Sequence, residues 1–383
     1  MKKFIFIVDA LRSDYAQTVR NILKDGDLKF RTVVPPFSFE PDAAYMCGKY
    51  PEETDSGTRH WLKSDVVPTP FLEKFSFILP GYNFYYRKLF NRFIRLAGFN
   101  FFGHFENSPA FIPLKLVGFF DVCHEENFYA PDIRGKNPTI YNRLAAKGVL
   151  VRHFGVPHQS GRLENIKTDF SRKNKADDEV LSFFISDLDS LGHKFGAGSA
   201  QYQEGLSEIF EWIRGVVKRT RDSGYECDYV VFGDHGMVDV ISTVNIEKIL
   251  SKLGLRVGLD FIYFLDSTLA RFWFMNDRAK RLVFDSLSDN TSGAWVDEKD
   301  VARYRIAYKH NRFGDLIWWC HGGIMISPNF WQGKKKINGM HGYREGITDN
   351  HTMICGDFDY GDNRESLSMI DVNSILLDFL ELV

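Results

Sequence analysis

No stretch of this chain approaches the roughly 18 consecutive apolar residues that a bilayer-spanning helix needs, so the sequence predicts no membrane span. Cysteine is scarce: five residues, odd in number, far apart and without a Cys-x-x-Cys pair, which excludes a disulfide framework and fits a reducing, cytoplasmic location. Charge of one sign is also lacking. Lys plus Arg total 48 against 50 Asp plus Glu, for a net charge of −2, so there is no global field to hold a polyanion and no nucleic-acid partner is expected. At the start of the chain only Phe4 to Val8 are apolar before Asp9, too short for a signal-peptide core, and the run reads as a strand. Internal repeats and low-complexity tracts are absent. The 44% apolar and 26% charged content is that of a soluble globular protein, and 383 residues make two to three domains or one core with insertions.

Aromatic residues are what the chain has in excess, at 15% of its length. They concentrate in residues 71–120, where 16 of 50 positions are aromatic and six Lys or Arg face two Glu, which marks an insertion. From Tyr82 to Ala97 the apolar residues recur with a helical period, while Lys88, Arg92 and Arg95 share another face. Two readings stand. The helix is a cap buried against the core with its arginines reaching water, or an amphipathic element resting on an anionic lipid surface or an apolar substrate tail. Phe99, Phe101, Phe102 and Phe105 tilt the balance towards an apolar partner, with peripheral membrane contact through residues 82–105.

Outside that insertion, apolar runs alternate with helical patterns. Phe4–Val8 precedes a helix predicted over Ser13–Leu23; Leu181–Ile185 precedes one over Gln201–Arg221; Tyr229–Phe232 precedes one over Val244–Leu253. Such alternation predicts an α/β fold with a doubly wound, mostly parallel sheet, whose ligands gather beyond the carboxyl ends of the strands. The expected organisation is a core of residues 1–70, 121–250 and 331–383, the aromatic insertion 71–120, and a smaller β-containing subdomain over 251–330.

The polar residues ending the candidate strands are Asp9, Ser38, Asp189 with His193, Asp234 with His235, and His341. Singly, each has a bland explanation: Asp9 as a helix cap, Ser38 as a turn serine among prolines. As an ordered set they are oxygen and imidazole donors without cysteine, which suits zinc or manganese in a catalytic site with open coordination positions, and seven groups suffice for two metals.

The phrases Ile7-Val-Asp-Ala-Leu-Arg-Ser-Asp14, Phe37-Ser-Phe39 with Gly48-Lys-Tyr-Pro-Glu52, Asp189-Ser-Leu-Gly-His193, Gly233-Asp-His-Gly-Met237 and Met340-His-Gly-Tyr343 resemble the alkaline phosphatase superfamily, and within it the type I phosphodiesterase and nucleotide pyrophosphatase family. The resemblance implies an alkaline phosphatase-like core with two divalent metal ions, Zn2+ or alternatively Mn2+. One would lie on Asp189, His193 and His341, the other on Asp9, Asp234 and His235 beside the nucleophile Ser38. It implies a phosphoesterase acting through a phosphoserine intermediate on a small phosphorylated substrate, which the aromatic insertion suggests is lipid-linked. Sulfatases of the same fold need Pro and Arg two and four positions beyond the nucleophile; here Glu40 and Asp42 stand there. The Asn that the phosphodiesterases place about twenty residues beyond the nucleophile is missing from Ser56-Gly-Thr-Arg-His-Trp61, so Arg59 or His60 is expected to meet the phosphate, leaving monoester and diester both open. Alternatives within the resemblance are a phosphoryl or phosphoalcohol transferase or mutase, and a non-catalytic relative that binds a phosphorylated ligand. Lys334–Lys336, His321 and His351 receive no role.

Overall fold

The apolar runs are short because each crosses a single sheet buried on both faces. The computed structural model describes residues 1–37, 41–54, 60–62, 111–122, 128–129, 137–155, 161–174, 179–308, 311–344, 346–361 and 364–382. They divide into two compact units, one of residues 1–57, 125–239 and 337–383, the other of residues 58–124 and 240–336.

Seven strands of the first unit form one sheet: β1 (Lys2–Val8), β2 (Lys29–Val34), β3 (Val151–Phe154), β4 (Val180–Ile185), β5 (Cys227–Phe232), β6 (Thr352–Gly356) and β7 (Ser366–Ser368), in the order β7-β2-β6-β5-β1-β4-β3. All neighbours pair in parallel except β6, which runs antiparallel to β5 and β2. Side chains of β1 alternate between two cores. Phe4, Phe6 and Val8 enter one with helices α1 (Ala16–Leu23), α4 (Leu163–Lys173) and α6 (Ala200–Asp222). Ile5 and Ile7 enter the other with α2 (Asp42–Cys47), α3 (Ile140–Ala146) and α7 (Met369–Phe379). A strand buried on both faces shows no polar alternation, hence the unbroken apolar run.

Local signals set the helices. In α6 the buried residues Tyr202, Leu206, Ile209, Phe210, Ile213, Val216 and Val217 follow a helical period, and the Ser199 side chain accepts from Tyr202 N to cap the first turn. Thr139 with Asn142 and Ser368 with Asp371 form capping boxes that start α3 and α7.

Register decides where the polar strand ends meet. Ile7 lies opposite both Phe184 of β4 and Phe232 of β5, so the three strands finish level, and Asp9 N donates to Ile185 O at 2.9 Å. The residues just beyond them share one edge of the sheet.

In the second unit, Phe261–Leu265, Leu269–Phe274, Leu316–Cys320 and Gly293–Trp295 form an antiparallel sheet in that order. Its core encloses the fully buried Arg271, whose Nε donates to Asp266 at 2.8 Å between the rings of Phe264 and Phe313.

The mixed α/β architecture with a mostly parallel central sheet agrees with the sequence, and three local expectations are corrected. The stretch Val244–Leu253 is not one helix. Val244 closes a strand, Ser242–Val244, paired with Ile324–Ile326, and Asn245 then caps a helix of only Ile246–Leu250 by accepting from Lys248 N at 2.9 Å. Ser13–Tyr15 form a 3-10 turn ahead of α1. Asp189 and His193 do not end a strand but lie one turn apart on a short helix, α5 (Asp187–Phe195), which begins directly after β4. The residues of the predicted helix 82–97, and Phe99, Phe101, Phe102 and Phe105, lie outside the described residues.

Candidate metal centre

Beyond the level ends of β4, β1 and β5, three segments of the first unit bring their polar residues together. Asp9 follows β1 directly. Ala10 after it adopts φ 63°, and this left-handed turn aims its N–H at Asp234 Oδ1, 3.1 Å away. Asp234 follows β5, and its Oδ1 also accepts from His235 N at 2.8 Å. On α5 the four-residue spacing sets Asp189 and His193 on one helix face, with His193 Nε2 3.1 Å from Asp189 Oδ1. His341 follows the two-residue strand Gly339–Met340, which pairs with Val238–Asp239 and so returns to the loop after β5. Gly339 packs on α5 so closely that a Cβ would stand 2.5 Å from Gly192 O. That contact needs a glycine.

Two trios of ligand atoms, each within 4.8 Å of one another, result: Asp9, Asp234 and His235; and Asp189, His235 and His341. His235 Nε2 lies 3.5 Å from Asp9 Oδ1 and 3.6 Å from Asp234 Oδ2, and His341 Nε2 lies 3.8 Å from Asp189 Oδ1. The His235 and His341 rings stack at 3.7 Å, with His193 5.4 Å from His341 between ring centres. The first trio is the set expected beside Ser38. In the second, His235 stands where His193 was expected, while His193 keeps its contact with Asp189.

Second contacts fix the imidazole tautomers. His193 Nδ1 lies 2.8 Å from Gly339 O, and His235 Nδ1 meets Gly236 O at the same distance. A carbonyl only accepts, so each Nδ1 carries a proton, and Nε2 is the atom turned towards the carboxylates and offered to a metal.

The charges are poorly compensated. Burial, then repulsion from Asp234, Asp189 and Asp42, drives the Asp9 carboxyl well above its usual range. Burial raises Asp234 too, with Asp189 adding to it and His235 and backbone N–H groups opposing. Asp189 is also pushed up by burial, but His193, His341 and His235 outweigh that and hold it low. His341 is driven well below the ordinary imidazole value by burial and by His235 and His193. The buried Oδ1 atoms of Asp9 and Asp189 accept no hydrogen bond from the described residues. Carboxylates crowded together, with lone pairs directed inward and no donor to meet them, are the environment that divalent cations satisfy, and the donor types suit zinc or manganese. The residues present therefore fit the two-metal expectation.

Ser38 and Arg59 lie outside the described residues, and His60 opens a strand of the second unit, His60–Leu62, paired with Phe120–Val122. Several residues around the centre were not singled out from sequence. Asp42 accepts from the hydroxyls of Tyr45 and of Tyr129, the latter at 3.1 Å, and both phenols are held protonated by burial and by that carboxylate. Arg12, Asp349 and Asn350 bind the loops that carry the ligands. A Tyr three positions beyond an Asp on a helix could have pointed to the first cluster; nothing in sequence ties Arg12 to Asp349.

The fold is similar to that of human ectonucleotide pyrophosphatase / phosphodiesterase 5, at 15% identity and TM-score 0.65 with 100% of this chain and 96% of that one covered. Two structures of the murine protein, one of an inactive variant in complex with AMP, match at 14% identity with the same TM-score and the same coverage. Comparison with curated proteins finds no match. The family model for type I phosphodiesterase / nucleotide pyrophosphatase matches residues 121–344, more than half of the sequence and including Asp189, His193, Asp234, His235 and His341, and the chain belongs to that family.

Proposed function

We propose that the chain is a two-metal phosphoesterase that hydrolyses a phosphodiester or pyrophosphate bond through a phosphoserine on Ser38. The observation that carries this reading is the pair of ligand trios sharing His235, with two inward carboxylate oxygens that accept no hydrogen bond from the described residues. Family membership supports the reaction class, and the AMP complex of the murine relative supports a nucleotide-like substrate. Asp9, Asp234 and His235 would hold one ion and Asp189, His193 and His341 the other, with zinc as the assigned metal and manganese the competitor. When bound, such ions supply Lewis-acid chemistry: neutralisation of charge on phosphoryl oxygens and a lowered pKa for the attacking hydroxyl and water.

The chain's own part is to position and to attack. Ser38 Oγ bonds to phosphorus as the bond to the leaving oxygen breaks, the hydroxyl proton passing to solvent and the leaving oxygen taking one up. Water then cleaves the phosphorus–Ser38 bond, restoring the hydroxyl and releasing the phosphorylated product. The Nδ1 contacts of His193 with Gly339 O and of His235 with Gly236 O fix the orientation of both rings, with Nε2 turned towards the carboxylates. A lipid-linked substrate and contact of residues 82–105 with a membrane surface belong to the same proposal on composition alone, as does a cytoplasmic setting. Among the described residues no helix is long and apolar enough to cross a membrane.

Wild type and Ser38→Ala, each loaded with zinc or manganese, are compared on bis-nitrophenyl phosphate and nitrophenyl phosphate. The expected result is diester hydrolysis by wild type, reduced by about a thousandfold or more in Ser38→Ala. Equal rates in the two proteins would remove Ser38 as nucleophile. Transfer of the phosphoryl group to an added alcohol in preference to water would replace hydrolysis with the transferase reading.

A further inference from the structure

Residues Thr348–Thr352 cross the ends of all the segments that bring the histidines and carboxylates together, apart from α5. Towards β1, Thr352 Oγ1 donates to Leu11 O at 2.6 Å and Ser13 N donates to His351 O at 3.1 Å. Towards the loop after β5, Gly236 N donates to Asn350 O at 2.9 Å and Met237 N to Asp349 O at 3.0 Å. A Cβ on Gly236 would stand 2.3 Å from Asp349 O and 2.6 Å from His351 O, so main chain lies directly on main chain. Towards His341, Asn350 Oδ1 accepts from Gly342 N at 3.2 Å and its Nδ2 donates to Tyr343 O at 3.4 Å. Arg12 fastens the same turn from outside: Nη2 lies 3.1 Å from Asp349 Oδ1, and Nη1 donates to Met237 O at 3.2 Å.

Asn350 is the point through which two of these connections pass, and it is buried. Its main chain grips the residue after His235, and its side chain grips the residue after His341. Those two histidines are the pair whose rings lie 3.7 Å apart. An asparagine serving only its own turn would spend its amide on neighbours in sequence; this one reaches back eight residues to Gly342.

We propose that Asn350 is a positioning residue that sets the separation of His341 from His235, and so the geometry in which the centre accepts divalent cations. The second clause rests on the function proposed above; the first does not.

Two measurements on full-length protein test it, with Thr139→Ala as the control. Thr139 caps α3 by accepting from Asn142 N at 3.2 Å, and its loss weakens the fold through hydrogen bonds made to Asn142 of its own helix. In metal-free protein, amide exchange at Gly342 and Gly236 is expected to quicken about tenfold or more in Asn350→Ala and to stay at the wild-type rate in Thr139→Ala. Cobalt(II) titration, read from its visible absorption, is expected to show about tenfold weaker binding and an altered spectrum in Asn350→Ala. Asn350→Asp loses the donor to Tyr343 O but keeps the acceptor for Gly342 N, so exchange at Gly342 should remain within about threefold of wild type. If Asn350→Ala does not fold, Asn350→Ser, too short to reach Gly342 N, is read in the same way. Wild-type exchange at both amides in the Ala or Ser variant, equal quickening in Thr139→Ala, or an Asp variant as loose as Ala overturns the positioning role. A wild-type protein that binds no cobalt(II) would refute the metal reading separately, while the exchange rates still decide the role of Asn350.

Discussion

His153 on β3 has both ring nitrogens buried without a hydrogen-bond partner among the described residues, and its ring meets Tyr141 edge-on at 4.6 Å. Burial lowers its pKa to about 4. The unfolded chain takes up this proton near the ordinary value of about 6.5, the folded chain only near 4, so between those values the unfolded state binds more protons. The stabilising effect of a neutral His153 is therefore complete above about pH 6.5 and is lost as pH falls towards 4, to an extent of about 3 kcal/mol. Urea unfolding of wild type and His153→Phe at pH 7, 5.5 and 4.5 measures it: the variant should lose less stability on acidification. Parallel losses in the two proteins would show that His153 is not the group responsible. At this scale the clustering of Asp9, Asp189, Asp234, His235 and His341 was partly legible, because Asp9, Asp189 and Asp234 with His235 come just after apolar runs and every member carries a group able to bind a metal. Asn350, Arg12 and Asp349 were not, because their work is done through bonds to main-chain atoms and charges distant in sequence, which leave no pattern along the chain.

Strands β1, β4 and β5 were legible from their unbroken apolar runs, and those runs are what the packing uses. Phe6 stacks on Phe183 at 4.7 Å and meets Trp212 edge-on at 6.0 Å, and Phe183 stacks in turn on Phe154 at 5.0 Å, linking β1, β4, β3 and α6 through one aromatic column. Phe6→Ala opens a cavity under that column and is expected to cost about 3–5 kcal/mol. The urea midpoint should fall with its slope unchanged; a cost under about 1 kcal/mol would mean the column collapses without penalty. The less legible elements have weaker patterns. Strand β6, Thr352–Gly356, is five residues ending in glycine, and its antiparallel course depends on pairing with β2 and β5 rather than on its own composition. The Val244–Leu253 expectation failed for a related reason. Apolar spacing alone could not reveal that Ser242–Val244 has a partner strand some eighty residues later, in Ile324–Ile326, nor that Asn245 interrupts the run as a cap.

At the scale of the whole molecule, the six candidate ligands all belong to the first unit, yet they are drawn from its three chain segments, between Asp9 and His341. An unfolded chain cannot hold them together, so cations bound there favour only the folded state. Carboxylates that repel one another in the metal-free centre, Asp9 above all, make that dependence steeper. At a zinc concentration about a hundred times the dissociation constant, one such site adds about 2.7 kcal/mol, which for a unit of this size raises the melting temperature by roughly 5–10 °C. Calorimetry with zinc and with EDTA should show that rise, and Asp9→Asn with Asp189→Asn should abolish most of it. Asp9→Asn alone should also melt above wild type in EDTA, since a neutral amide there removes the repulsion from Asp234, Asp189 and Asp42 without a metal. Identical melting of wild type in zinc and in EDTA would mean that the folded chain gains nothing from the ion, and the crowded carboxylates would then need another partner.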